Sequence, residues 1–268
     1  MDKQKGPSAA AIGLALMAMT ILGAYLWLRP STEPLPDFSE IEDIDQRKTA
    51  FFSYLAPIVV EENERVLAQR ARLLELTKQP SEKSFSPLQR RWLRKLAAEY
   101  ELEWPGESRE QTMATMLRRI DAVPASLALI QAAKESGWGQ SRFAVKGNNL
   151  FGHWCYSPGC GIVPARRSDD AAHEVAAFDS VEQSVERYIN NLNTHPSYQP
   201  LRELRQTKRL NGNPLKGLAL ADGLVLYSER RGDYVRDIKQ MLLANQALIE
   251  QAIGEASGEE QKARTNSS

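Results

Sequence analysis

Net charge is the first thing this chain lacks. Its 34 Lys and Arg balance 34 Asp and Glu, which removes the electrostatic case for nucleic acid. Cysteine is scarce too: Cys155 and Cys160 are the only two, and the three histidines, His153, His173 and His195, stand in no helical pairing suited to a metal. No further Cys or His lies at zinc spacing, so neither a metal site nor any other cofactor is expected, and each histidine reads as a loop or surface residue. Internal repeats are absent, which excludes solenoid and propeller arrays.

Long apolar runs are limited to one. Residues 9–28 (AAAIGLALMAMTILGAYLWL) carry no charge, enough to span a bilayer core. Lys3 and Lys5 precede the run, whereas Glu33 to Asp45 holds six acidic residues and no basic one. That asymmetry favours a cytoplasmic segment 1–8, a single-pass inner-membrane anchor 9–28 and an exported, periplasmic body. A cleaved signal peptide is the alternative, but no A-x-A site follows, and Tyr25 and Trp27 suit an interfacial belt. In an exported domain Cys155 and Cys160, five positions apart, suit a local disulfide, with two free thiols as the alternative.

Beyond the anchor, residues 29–46 are Pro-rich and acidic and read as a tether. Residues 47–104 form a helical N-terminal region, with Phe51, Leu55, Val59, Val66 and Leu73 at helical spacing and Pro57 predicting a kink or a break. This stalk-like region is a candidate docking element for an envelope protein, although an amphipathic helix more often packs on its own domain. Ser86-Pro87 reads as the cap of a helix 88–100, and Ser108-x-x-Gln111 and Ser180-x-x-Gln183 as capping boxes. Pro124 and Gly137 bracket a helix 125–136. Between 153 and 178 the composition shifts to Gly, Pro and Cys, with short runs at 161–164 and 174–178 suited to a small β-hairpin lobe. Residues 202–209 (RELRQTKR) read as a solvated helix face. The region 105–250 is then the catalytic domain and 251–268 a polar, disordered tail. The fold class is mainly α, in an α+β arrangement.

Residues 131–152 carry most of the functional information. Glu135 ends an apolar helix with Ala132 and Gln131 at i−3 and i−4, so no cation approaches from that side, and the helix dipole disfavours its charge. Lys134 points about 100° away around the helix. A carboxylic acid that stays protonated near neutral pH is what glycoside cleavage requires of its proton donor. Gly137 and Gly139 permit a tight exit, Trp138 and Phe143 offer an apolar wall, and Lys146-Gly-Asn-Asn-Leu-Phe-Gly152 is a turn-rich segment suited to sugar contacts. Trp138, Asn148, Asn149, Phe151, Trp154, Tyr156 and Tyr234 are the candidate substrate-binding residues.

Gln131-Ala-Ala-Lys-Glu135-Ser-Gly-Trp-Gly followed by Lys146-Gly-Asn-Asn-Leu-Phe-Gly152 resembles the peptidoglycan N-acetylglucosaminidase family of autolysins and flagellar muramidase-like enzymes. Residues 123–245 are similar to its membrane-associated Bax-type branch. The resemblance implies a lysozyme-like, mainly α fold with a mobile β lobe. It also implies hydrolysis of the β-1,4 bond on the reducing side of N-acetylglucosamine in peptidoglycan strands. Carried over residue by residue, it makes Glu135 the acid and Glu174 a second carboxylate that activates water, with Asp169 and Asp170 as rivals. The family's Tyr-Ala-Thr-Asp-Pro-x-Tyr pattern is replaced here by Tyr227-Ser-Glu-Arg-Arg-Gly-Asp-Tyr234. Tyr227 is then the better candidate for the catalytic tyrosine, with Tyr234 as core. A lytic transglycosylase and a catalytically silent glycan-binding scaffold are the competing functions.

Overall fold

A computed structural model of the chain describes residues 34–80, 84–165 and 173–266, with side chains through 258. The expected cytoplasmic segment 1–8 and anchor 9–28 lie outside the described residues, as do Asp169 and Asp170. Among the described residues no helix is long and apolar enough to cross a membrane.

Ten α-helices and three short strands make up the rest. In chain order they are α1 (Ile44–Thr77), α2 (Pro87–Glu99), α3 (Arg109–Arg119), α4 (Ala125–Ser136), α5 (Arg142–Gly147), β1 (Trp154–Cys155), β2 (Gly161–Ile162), β3 (Glu174–Ala176), α6 (Val181–Thr194), α7 (Gln199–Leu210), α8 (Gly217–Leu220), α9 (Gly232–Ala244) and α10 (Gln246–Asn266). Local chemistry starts these helices where the sequence predicts. Ser86 and Gln89 form a reciprocal capping box, and Ser108 and Ser180 accept from the amides of Gln111 and Gln183. Each satisfies a backbone N–H that the first helical turn leaves without a partner.

The centre of the fold is α4. Leu127, Ala128, Leu129, Ile130, Gln131, Ala132, Ala133 and Ser136 are all buried, so the middle of the helix is enclosed, as its largely apolar sequence demands. It packs against α1, α8, α9 and α10. Three expectations are corrected around it. The 47–104 region is not a stalk: α1 buries Phe51, Phe52, Leu55, Ala56, Val59, Val66 and Leu73 against the same core as α4 and α6. From Leu35 onward the chain is one unit. Pro57 neither breaks α1 nor divides it, because Pro57 and Ser53, whose carbonyl loses its partner, are both exposed to water.

The second correction concerns the ends. The tether's Leu35–Ile41 segment folds onto the domain, with Phe38 fully buried in edge-to-face contact with Phe51. The polar tail is helical through Asn266, and α10 buries Ile249, Ala252 and Ala256 while packing on α1. Small residues every few positions give α10 an apolar stripe that overall polarity conceals.

The third lies in α7, which is no solvated face. Arg205 is 1 % exposed and its guanidinium donates to the carbonyls of Arg118, Arg119, Asp121 and Ala122 and to Oδ1 of Asn193. Arg202 donates to the carbonyls of Leu192 and His195. Arg209 closes a bidentate pair with the buried Asp121 carboxylate. These arginines satisfy carbonyls that the C-terminal ends of α3 and α6 leave open, and they fix the turn that feeds chain into α4.

The β lobe is a three-stranded antiparallel sheet in the order β1-β3-β2, rather than the expected hairpin. Trp154 pairs with Val175 and Ile162 with the same residue from the other side. Cys155 and Cys160 form a disulfide that closes the loop between the outer strands.

Candidate active site

Glu135 sits in the last turn of α4, half-buried. Gly137 follows in the left-handed region at φ 57° and ends the helix. Ser136 Oγ donates back to the Ala132 carbonyl and accepts the Gly139 amide, which curls the exit loop tightly. Gly139 is required twice over: its φ is 78°, and a Cβ there would meet Phe38 at 2.5 Å. The tether segment therefore packs directly on the loop that leaves the acid.

Burial pushes the Glu135 carboxyl above its ordinary value, opposed by a hydrogen bond from Tyr234 and by Lys134. Lys134 is itself held by Asp237 at 3.0 Å, which also pairs with Arg230. Among the described residues, no carboxylate is one of the groups that act on Glu135. Burial outweighs the two groups that oppose it, which favours the protonated form.

A directed chain of hydrogen bonds reaches the acid from the core. Tyr188 donates to Gln131 Oε1 at 2.6 Å, Gln131 Nε2 donates to the Tyr234 oxygen at 3.0 Å, and Tyr234 donates to Glu135 Oε1 at 2.9 Å. Tyr227 stacks on Tyr234 with ring centres 5.2 Å apart, and Tyr198 lies 5.8 Å from Tyr227. Burial holds all four phenols above their ordinary value, so they are neutral donors beside the acid.

This arrangement reverses the expected tyrosine roles. Tyr234, expected as a substrate contact or as core, donates to the acid, while Tyr227 donates to the Phe151 carbonyl at 3.2 Å. Gln131 and Tyr188 were not singled out by sequence. The available signal was Gln131 itself, one helical turn before Glu135 on the same face.

Several predicted sugar contacts turn out to hold the protein together. Asn149 is 1 % exposed; its Nδ2 donates to the His153 and Ala176 carbonyls and its Oδ1 accepts the Phe151 and His153 amides. Asn148 caps α5 in the left-handed region and donates to the Phe178 carbonyl. Phe151 is buried and stacked on Tyr188 at 3.9 Å. Trp138 packs edge-on against Phe51 and Phe52 of α1. Glu174, the expected water activator, is 8 % exposed, and its two oxygens accept the Gly159 and Gly161 amides, so it braces the disulfide loop. One of its oxygens and the two sulfurs lie within 4.8 Å of one another, but sulfurs joined to each other are not thiolate ligands.

Trp154 and Tyr156 do remain open, at 56 % and 71 % exposed, with Trp154 stacked on His173 at 4.2 Å. His153 lies in a loop, as expected, but is half-buried rather than open. Its Nε2 is sealed from solvent without a partner, and burial, with Arg187 nearby, pushes its pKa down to about 4.

The candidate site residues thus comprise a desolvated helix-borne acid beside a wall of tyrosines, and a small β lobe with two open aromatic rings. Residues 111–247 match the glucosaminidase family, described as mannosyl-glycoprotein endo-beta-N-acetylglucosaminidase, and the chain belongs to that family. It is 33% identical over 215 residues to Protein bax of Escherichia coli (strain K12), covering 80% of this chain and 76% of the relative, and is a Bax-type member. No solved structure matches the chain.

Proposed function

We propose that the protein hydrolyses the β-1,4 bond on the reducing side of N-acetylglucosamine in peptidoglycan, with Glu135 as general acid. The observation that carries this reading is the Glu135–Tyr234 pair at the solvent-accessible end of a buried helix. Burial favours the protonated carboxyl, and Tyr234 holds it in one rotamer from which a proton can pass to the departing glycosidic oxygen. Family membership supports the sugar, and Trp154 and Tyr156 supply faces for neighbouring rings.

For the second half of the reaction, the substrate's own N-acetyl oxygen is the preferred nucleophile. It attacks the anomeric carbon as the leaving oxygen takes the Glu135 proton; water then opens the cyclic intermediate and returns a proton to Glu135. This route needs only Glu135 and a positioning tyrosine. Occupation of both Glu174 oxygens by backbone amides favours it over a Glu174-activated water. Residues 9–28 are proposed to anchor the domain in the inner membrane facing the periplasmic wall, which also suits a disulfide.

The test is digestion of purified peptidoglycan by the full-length chain and by Glu135→Gln, followed by borohydride reduction and mass spectrometry. Reduced N-acetylglucosamine ends from the wild type alone are expected. Anhydro-muramic ends would identify a lytic transglycosylase instead, and glycan binding without products from either protein would favour the scaffold.

A further inference from the structure

Tyr188 is fully buried, and its one hydroxyl hydrogen goes to Gln131 Oε1. In a protein interior a donor left without a partner is rarer and costlier than an unused lone pair. Tyr188 must therefore donate, and the Gln131 amide must present its oxygen to Tyr188. The other end of that amide is an NH2, which only donates. It faces Tyr234 at 3.0 Å, so the Tyr234 oxygen accepts. Tyr234 has a single hydrogen left, and Glu135 Oε1, 2.9 Å away, receives it.

We propose that Gln131 is a positioning residue that fixes the direction of the Tyr234 hydroxyl and thereby assigns the catalytic proton to Oε2 of Glu135, the oxygen Tyr234 does not touch. This rests on Glu135 as the acid. With Gln131 in place, a proton on Oε1 would point a second donor at a hydroxyl whose own hydrogen already lies between the two oxygens. The proton is excluded from the Tyr234 side and stays on the oxygen left free for substrate. Were the amide reversed, Tyr234 would donate to Gln131 and accept from Glu135, and the acid's proton would be spent on the protein. Gln131 is thus a switch held in one position by Tyr188, which makes no hydrogen bond to Glu135.

Two variants of the full-length chain test this: Gln131→Met, which keeps the side-chain length, and Tyr188→Phe, which keeps the ring stacked on Phe151. Glutamate labelled with 13C at the carboxyl is followed against pH by NMR, with Glu135→Gln assigning the Glu135 signal, and peptidoglycan hydrolysis is recorded over the same range. In both variants the Glu135 pKa is expected to rise, by up to about one unit in Gln131→Met because the Tyr234 oxygen is then free to accept from the protonated carboxyl, and by less in Tyr188→Phe. The alkaline limb of the rate should move up with it, while the plateau rate falls roughly tenfold as the proton is diverted to Oε1.

A residue that merely packs would lower the rate without moving the limb. An unchanged Glu135 pKa in folded variants overturns the proposal, and so does a raised pKa with an undiminished plateau. Should Gln131→Met fail to fold, Tyr188→Phe decides alone. Hydrolysis that survives Glu135→Gln would overturn the acid assignment, whereas the NMR titration judges the direction of the hydroxyl chain by itself.

Discussion

Tyr234→Phe removes one oxygen and one hydrogen from the centre of the site, with consequences that separate by pH. The hydroxyl donates to Glu135 Oε1 at 2.9 Å and accepts from Gln131 Nε2 at 3.0 Å. A hydrogen bond to an ionised group contributes about 1.5–3 kcal/mol; Glu135 is half-buried, so the lower part of that range applies. At about 1.4 kcal/mol per pKa unit, the Glu135 pKa rises by about one unit beyond the elevation burial already gives it. The reaction needs the protonated form, so the alkaline limb of kcat/KM moves up by about one unit. Plateau activity falls, because the acid loses its rotamer constraint.

Stability follows with a definite sign. Loss of Gln131's acceptor costs about 1–3 kcal/mol at every pH. Loss of the bond to Glu135 adds most above the acid's pKa, where the carboxylate makes that bond charge-assisted. The variant is therefore less destabilised at pH 4 than at pH 8. Denaturant melts at both pH values, beside a pH–rate profile on solubilised peptidoglycan, check this. An alkaline limb that stays put or moves down would refute the argument that Tyr234 favours the carboxylate.

Other perturbations have equally direct expectations. Because burial raises the Glu135 pKa in the fold, stability is lost as pH rises from the unfolded pKa through the folded one; Glu135→Gln should raise Tm at pH 8, have little effect at pH 4, and abolish hydrolysis. His153, with its pKa down at about 4, acts oppositely: stability falls as pH drops from about 6.5, its unfolded value, towards 4, and His153→Phe should flatten that stretch of a Tm–pH curve. Arg205→Ala removes the donor for four carbonyls and one partner of Asp121, and should cost about 3–5 kcal/mol in a denaturant melt. Reducing Cys155–Cys160 releases a short loop worth about 2 kcal/mol; hydrolysis should fall while the melting of the helical body, followed by far-UV circular dichroism, is little changed.

What was legible in the sequence was local. Ser86, Ser108, Ser180 and Gly137 act within one turn of themselves, so their spacing suffices to place helix ends. Glu135 was legible because its helix, its glycines and its aromatic loop are contiguous. The partner of the acid was not, since Tyr227 and Tyr234 lie about a hundred residues away and only the packing of α9 on α4 decides which reaches it. Asn148 and Asn149 look like sugar ligands until the fold shows their amides consumed by their own loop. Charge misled in α7: Arg202 and Arg205 have the composition of a wet surface, but open carbonyls on α3 and α6 draw them inside. Polarity likewise hid α10, whose apolar stripe is built mostly of alanine.

The pairing of α1 with α10 joins the beginning of the folded unit to its end. A ribosome delivers α1 before α10, so α1 is made long before the helix that packs along it. Until α10 emerges, α4 lacks one of its walls. The frame of the candidate site is thus assembled late: Tyr234, the partner of Glu135, is made about a hundred residues after it, and the helix that backs α4 follows later still.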